Sequence, residues 1–190
     1  MSTLYTHRLD DAVAFALGAF RTRRRKGTSI PYMTHRLQVM VTVGEHGGDE
    51  DQLIAAVLHD WLEDVEGADA AVLEARWGPR VRALVQALSD STGHPKPPWK
   101  ARKLAYLAHL GVCGPEVRLI SAADKLHNCR SIRRDLATVG DAVWSRFSAP
   151  RDETLWYYDA VTVTLGQGWA HPLHHELRRE VDTLHQEARG

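Results

Sequence analysis

At 190 residues, with 44% hydrophobic and 25% charged side chains, the chain is long enough for one ordinary globular domain that buries most of its apolar surface. Lys plus Arg and Asp plus Glu balance at 24 each, so no overall field points to nucleic acid or to a membrane surface. The two cysteines, Cys113 and Cys129, form no CxxC pair and argue against a disulfide framework, while the N-terminal MSTLYTHRLDD lacks an apolar signal core. A soluble, cytoplasmic protein is expected, with no membrane and no nucleic acid among its partners.

Helical period dominates along the chain. A first helix is expected after an Asp10-Asp11 cap, with Val13, Leu17 and Phe20 as its buried stripe. It runs into the basic cluster Arg21, Arg23, Arg24, Arg25 and Lys26 and breaks at KGTSIP. A second helix covers about 32–45, and a third carries LIAAVLHDWLEDVEG and stops by Gly67. Two short helices split at WGPR, then comes the Gly/Pro loop STGHPKPP. Helices at about 99–110 and 115–136 follow, then a segment with WSRF and a helix around ETLWYYDAVTVTL. The β-branched run Val161-Thr162-Val163-Thr164 reads as helix from its flanks. A last helix, about 172–187, is expected to be peripheral. The pattern predicts an all-α helical bundle forming a single domain over 1–190, with its core at about 9–165.

The third helix raises a chemical question, because an apolar run carries His59-Asp60 and then Glu63-Asp64. At about 100° per residue, Glu63, Asp60 and Asp64 fall within about 140° of His59, opposite Ile54, Leu58, Trp61 and Leu62. A plain amphipathic helix would explain this. However, that face holds no Lys or Arg, so three carboxylates crowd together. Adjacent His and Asp also offer the nitrogen and oxygen donors that suit a divalent cation. His35 in PYMTHRL and Asp124 in SAADKLHN are the candidates for further ligands. Lys125 is expected to point away from Asp124, whereas Asn128 stands one turn beyond it and would border the site.

With His35, His59-Asp60 and Asp124 in order, the chain resembles the HD-domain metal-dependent phosphohydrolases. RKGTSIPYMTH, AAVLHDWLED and ISAADKLHNCRSI resemble the hydrolase domain of RelA/SpoT alarmone enzymes and the small alarmone hydrolases. The resemblance implies an all-helical HD fold and one Mn²⁺ held by His35, His59, Asp60 and Asp124. It further implies removal of the 3′-pyrophosphate from a guanosine or adenosine alarmone, with Glu63 and Asp64 as the catalytic acidic pair. Asn128 matches a residue near the ribose and 3′-phosphate, and Arg25 and Lys26 match a pair that lines the nucleotide pocket. Departures sit at that pocket. Phe20-Arg21-Thr22-Arg23 replaces a His-x-Gly-Gln sequence, and the spacing to Pro31 is longer than in the long relatives, which keeps Arg24 beside the pair as a candidate.

Mixed N/O donors suit Mn²⁺ or Fe²⁺, and Zn²⁺ fits the same residue types. A small-molecule nucleotide needs cations to meet its phosphates, and Lys96, Lys100, Arg102 and Lys103 around the loop are a second source. Arg146, between Trp144 and Phe147, is a further candidate, although each such residue alone reads as a solvated face. His171, His174 and His175 have metal-compatible spacing but read better as a solvated helix. Trp156-Tyr157-Tyr158 reads as core or as a subunit contact, which leaves a homo-oligomer open. The rivals are an HD phosphohydrolase acting on another nucleotide and an inactive module that binds nucleotide and signals.

Overall fold

A computed structural model describes residues 4–91 and 95–189. Thr92, Gly93 and His94 of the Gly/Pro loop lie outside the described residues. The chain divides into two compact units, residues 1–96 and 97–190. Among the described residues there is no strand, only an isolated bridge between Arg24 and Pro31, in agreement with an all-α class. No helix among them is long and apolar enough to cross a membrane.

The first unit contains α1 (His7–Ala19), α2 (Met33–Glu45), α3 (Glu50–Leu58), α4 (Trp61–Asp64), α5 (Ala70–Trp77) and α6 (Pro79–Leu88). Helix α3 is its centre, enclosed by α1, α2 and α6. Its sequence explains why: Ile54, Ala55, Ala56, Val57 and Leu58 are all fully buried, the pattern of a helix apolar on every side. A capping box between Asp49 and Gln52 fixes its start. Helices α5 and α6 turn at Gly78, whose φ of +94° favours glycine.

Helix α1 departs from expectation. Thr6, not the Asp10-Asp11 pair, caps it, with the Thr6 hydroxyl accepting from Arg8 N. The buried stripe is Leu9, Ala12, Ala16 and Phe20, while Leu17 is exposed. Small Ala12 and Ala16 let α1 lie close on α3, a contact that a search for bulky residues overlooks.

The second unit contains α7 (Trp99–Val112), α8 (Pro115–Val139), a 3-10 helix (Gly140–Arg146), α9 (Arg151–Gly166) and α10 (Pro172–Glu187). Helix α8 packs on both α9 and α10. Arg118 ties the helix ends together, donating to the carbonyls of Gly111, Cys113, Leu165 and Gln167. The β-branched run of α9 is helical; the Thr162 and Thr164 hydroxyls bond back to the Tyr158 and Ala160 carbonyls. Tyr157 and Tyr158 are buried. Helix α10 is not a loose appendage. Leu173, Leu177, Val181 and Leu184 are fully buried, and Glu176, Glu180 and Glu187 pair with Arg130 and Arg133 of α8.

Candidate functional site

The His-Asp pair does not sit within a continuous helix. Helix α3 ends at Leu58, His59 is its C-cap, and Asp60 (φ −99°, ψ 7°) is the N-cap of α4. The cause is local: the His59 ring donates from Nδ1 to the carbonyl of Ala56 at 2.7 Å, in the last turn, where helix carbonyls lose their own partners. The helical-wheel arrangement of His59, Asp60, Glu63 and Asp64 is therefore replaced by a kink, with one group on each side of it.

This kink sets the donor chemistry. A neutral His59 carries its proton on Nδ1 and directs the Nε2 lone pair at Asp60 Oδ2, 3.1 Å away. Two acceptors at that distance repel unless a proton or a metal cation joins them. His35, buried on α2, meets the His59 ring edge-on at 5.1 Å between centroids, and the two offer ligand nitrogens within 4.8 Å of one another. Two imidazoles beside a carboxylate fit a divalent ion of mixed N/O preference.

The carboxylates are not left uncompensated, although their own helix supplies no cation. Tyr32 Oη donates to Asp60 Oδ2 at 2.7 Å. The fully buried Arg36 places Nη2 3.5 Å from Asp60 and 3.8 Å from Asp64. Arg23 donates to the Asp64 carbonyl, and Lys96 lies 3.7 Å from Glu63. Glu63 accepts from Asp90 N at 2.6 Å. Burial, followed by the charges of Asp60 and Asp90, pushes the Glu63 carboxyl up to about 7. Burial and Asp60 raise Asp64 as well, with Arg36 and Arg23 opposing them. Arg36 and Tyr32 were not anticipated. The only signal for Arg36 is its place beside His35, one position into a stretch that must be buried for His35 to be buried.

In the second unit Asp124 is buried mid-way along α8 and takes 2.5 Å contacts from Lys125 Nζ and Asn128 Nδ2. Asn128 thus borders Asp124 as expected. Lys125 does not point away: its long stem curls back to its neighbour, with Nζ 5.4 Å from the Tyr106 ring and 5.9 Å from that of Tyr157. Burial opposes the ammonium charge, yet Asp124 holds Lys125 well above the ordinary lysine range.

The candidate phosphate contacts come from both units, and each has its own local surroundings. Arg24 and Lys26 are exposed and Arg25 is half-buried, in a loop closed by Arg25 N to Ile30 O at 2.8 Å and Tyr32 N to Arg23 O at 2.9 Å. Lys100 pairs with Glu153 and lies 3.2 Å over the Trp156 ring, and Lys103 lies 4.8 Å from the Tyr157 ring. Arg102 donates to the Pro97 carbonyl at 3.1 Å, and Arg146 to Asp135 at 2.6 Å. The C-terminal histidines have structural tasks. His171 caps α10 at Leu173 N and stacks on Trp169, and His174 bonds the Thr162 carbonyl at 3.0 Å.

A family model described as HD domain matches residues 12–155, a span that contains His35, His59, Asp60, Glu63, Asp64 and Asp124. The chain belongs to the HD-domain family. Within it, the chain is 32% identical over 127 residues to the guanosine-3′,5′-bis(diphosphate) 3′-pyrophosphohydrolase MESH1 of Xenopus tropicalis, covering 65% of this chain and 69% of the relative. The solved structure of a metazoan orthologue of SpoT shares the HD-domain fold at a TM-score of 0.79 and 24% identity, over 96% of this chain and 98% of that one. A structure from Listeria monocytogenes EGD-e matches at a TM-score of 0.72 and 28% identity, over 80% and 99%.

Proposed function

We propose that this HD-domain protein hydrolyses the 3′-pyrophosphate of guanosine 3′,5′-bis(diphosphate), releasing the 5′-nucleotide and pyrophosphate. The observation that carries the reading is the likeness, 32% over 127 residues, to an enzyme named for that reaction. In this reading His35, His59, Asp60 and Asp124 hold a divalent ion, and Mn²⁺ is the metal proposed for their mixed donors. Such an ion supplies Lewis-acid polarisation of a phosphoryl oxygen and lowers the pKa of water.

The chain's own residues do the rest. Glu63, with its carboxyl near 7, suits a general base at neutral pH and takes the proton of the attacking water. Asp64, held beside Arg36, orients that water. Arg24, Arg25 and Lys26, together with Lys96, Lys100, Arg102 and Lys103, are the cations proposed to meet the phosphates, and Arg146 is a further one. Asn128 is proposed to face the ribose and 3′-phosphate. An intracellular nucleotide substrate would place the protein in the cytoplasm, and ppApp is a second candidate substrate because the departures from the family pattern lie around the base pocket.

The test is to incubate purified protein and Mn²⁺ with ppGpp, ppApp and a panel of nucleoside tri- and monophosphates, separating the products. Pyrophosphate plus GDP from ppGpp is the expected result. No release from either alarmone by metal-loaded protein refutes the reading, and cleavage confined to triphosphates or monophosphates establishes the alternative HD phosphohydrolase.

A further inference from the structure

Arg36 has features that neither core packing nor the ligand set explains. It is fully buried, and its Nε has no acceptor among the described residues. The guanidinium carbon lies 3.6 Å above the Phe20 ring centroid and 4.9 Å from that of Tyr32. Those ring faces stabilise a desolvated cation and fix its plane. Nη1 donates to the Val57 carbonyl at 3.3 Å, in the last turn of α3, so the side chain is anchored to the helix end that presents His59 and Asp60. Its Nη2 is thereby aimed between the two carboxylates, at 3.5 Å from Asp60 and 3.8 Å from Asp64. Both distances exceed a direct charge-assisted hydrogen bond, so Arg36 acts on the two carboxylates as a nearby fixed charge rather than through a short bond to either.

We propose that Arg36 is a positioning residue: a fixed counter-charge, clamped by Phe20, Tyr32 and Val57, that spans Asp60 and Asp64 and keeps Asp64 turned toward the reacting water. The inference rests on the phosphohydrolase reading for its activity arm alone. A planar guanidinium spans two carboxylates, whereas an ammonium acts as a point charge. A buried cation beside a ligand carboxylate also repels an incoming metal ion. Arg36 therefore weakens metal binding while it supports turnover, a combination that a residue needed only for folding would not produce.

The experiment compares wild type, Arg36→Met and Arg36→Lys, with Mn²⁺ affinity measured by calorimetry in the absence of nucleotide and kcat and KM measured on the hydrolysed alarmone. Met retains the stacking length over Phe20 and removes the charge. Arg36→Met is expected to bind Mn²⁺ about ten-fold more tightly and to lose roughly ten-fold or more in kcat, with KM changed by less than about two-fold. Arg36→Lys is expected to keep Mn²⁺ affinity near wild type yet still lose kcat. Weaker Mn²⁺ binding in step with lost turnover, or an unchanged kcat in either variant, overturns the proposal. If Arg36→Met does not fold, Arg36→Lys decides on the same kcat criterion. If wild type hydrolyses no alarmone, the functional reading fails while the Mn²⁺ affinities still judge Arg36.

Discussion

Glu63→Gln is expected to make the metal-free protein more stable at pH 8 and to leave it nearly unchanged at about pH 4. In the fold the Glu63 carboxyl titrates at about 7 rather than 4.5, because burial and the charges of Asp60 and Asp90 penalise its anion. A carboxyl raised in this way contributes stability that is complete below its unfolded pKa and is lost as pH rises through the folded one. For Glu63 the loss runs from about 4.5 to about 7. At about 1.4 kcal/mol per pH unit, the wild-type protein is weakened by roughly 3 kcal/mol at pH 8. Gln is nearly isosteric and keeps an acceptor for Asp90 N, which lies 2.6 Å from the carboxylate, so the charge alone is removed. For a chain of this size the gain corresponds to roughly 6–12 °C in Tm. Thermal melts of both proteins in chelator from about pH 4 to about pH 8.5 read the difference across the window from 4.5 to about 7, and activity with Mn²⁺ is expected to collapse in the same variant. A stability difference that is flat with pH, or a Gln variant weaker at pH 8, refutes the reasoning.

Leu177→Ala should cost about 2–5 kcal/mol in urea unfolding, since Leu177 is fully buried under α8; a loss below about 1 kcal/mol would return α10 to the periphery. In the native protein a thiol reagent at pH 7.5 should label Cys113 and spare Cys129, which is buried with its thiol pushed up to about 12. Mass spectrometry showing Cys129 modified before unfolding would contradict that burial. Tyr32→Phe removes the 2.7 Å bond to Asp60 and should lower metal-free stability by about 1–2 kcal/mol; an unchanged melt would show that the bond contributes nothing.

The helices were legible because their signals are local: Gly78 and Pro79 split α5 from α6, and Asp49 with Gln52 starts α3. The β-branched run of α9 was readable as helix because the flanking Trp156 to Ala160 keep a helical period. What escaped depends on other elements. The break at His59 arises from a ring-to-carbonyl bond that competes with helix continuation, and His at that position carries no turn signature. The cations near Asp60, Glu63 and Asp64 are Arg36 of α2, Arg23 between α1 and α2, and Lys96, none of which lies on the helical face that carries the carboxylates. Long side chains also defeat angular reasoning, as when Lys125 folds back onto Asp124. The amphipathic stripe of α10 was visible, yet burial on α8 depends on Arg130 and Arg133 meeting Glu176, Glu180 and Glu187 across 46 or more residues.

His59 engages both of its ring nitrogens, because Nδ1 bonds the Ala56 carbonyl at the end of α3 while Nε2 faces Asp60 Oδ2, where the proposed ion would bind. Aspartate or cysteine could also ligate a divalent cation, but neither offers the N–H that the Ala56 carbonyl takes. Exchanging the ligand type at this position would therefore remove the donor that the Ala56 carbonyl takes at the end of α3, so the choice of donor and the ending of the helix are tied to one side chain.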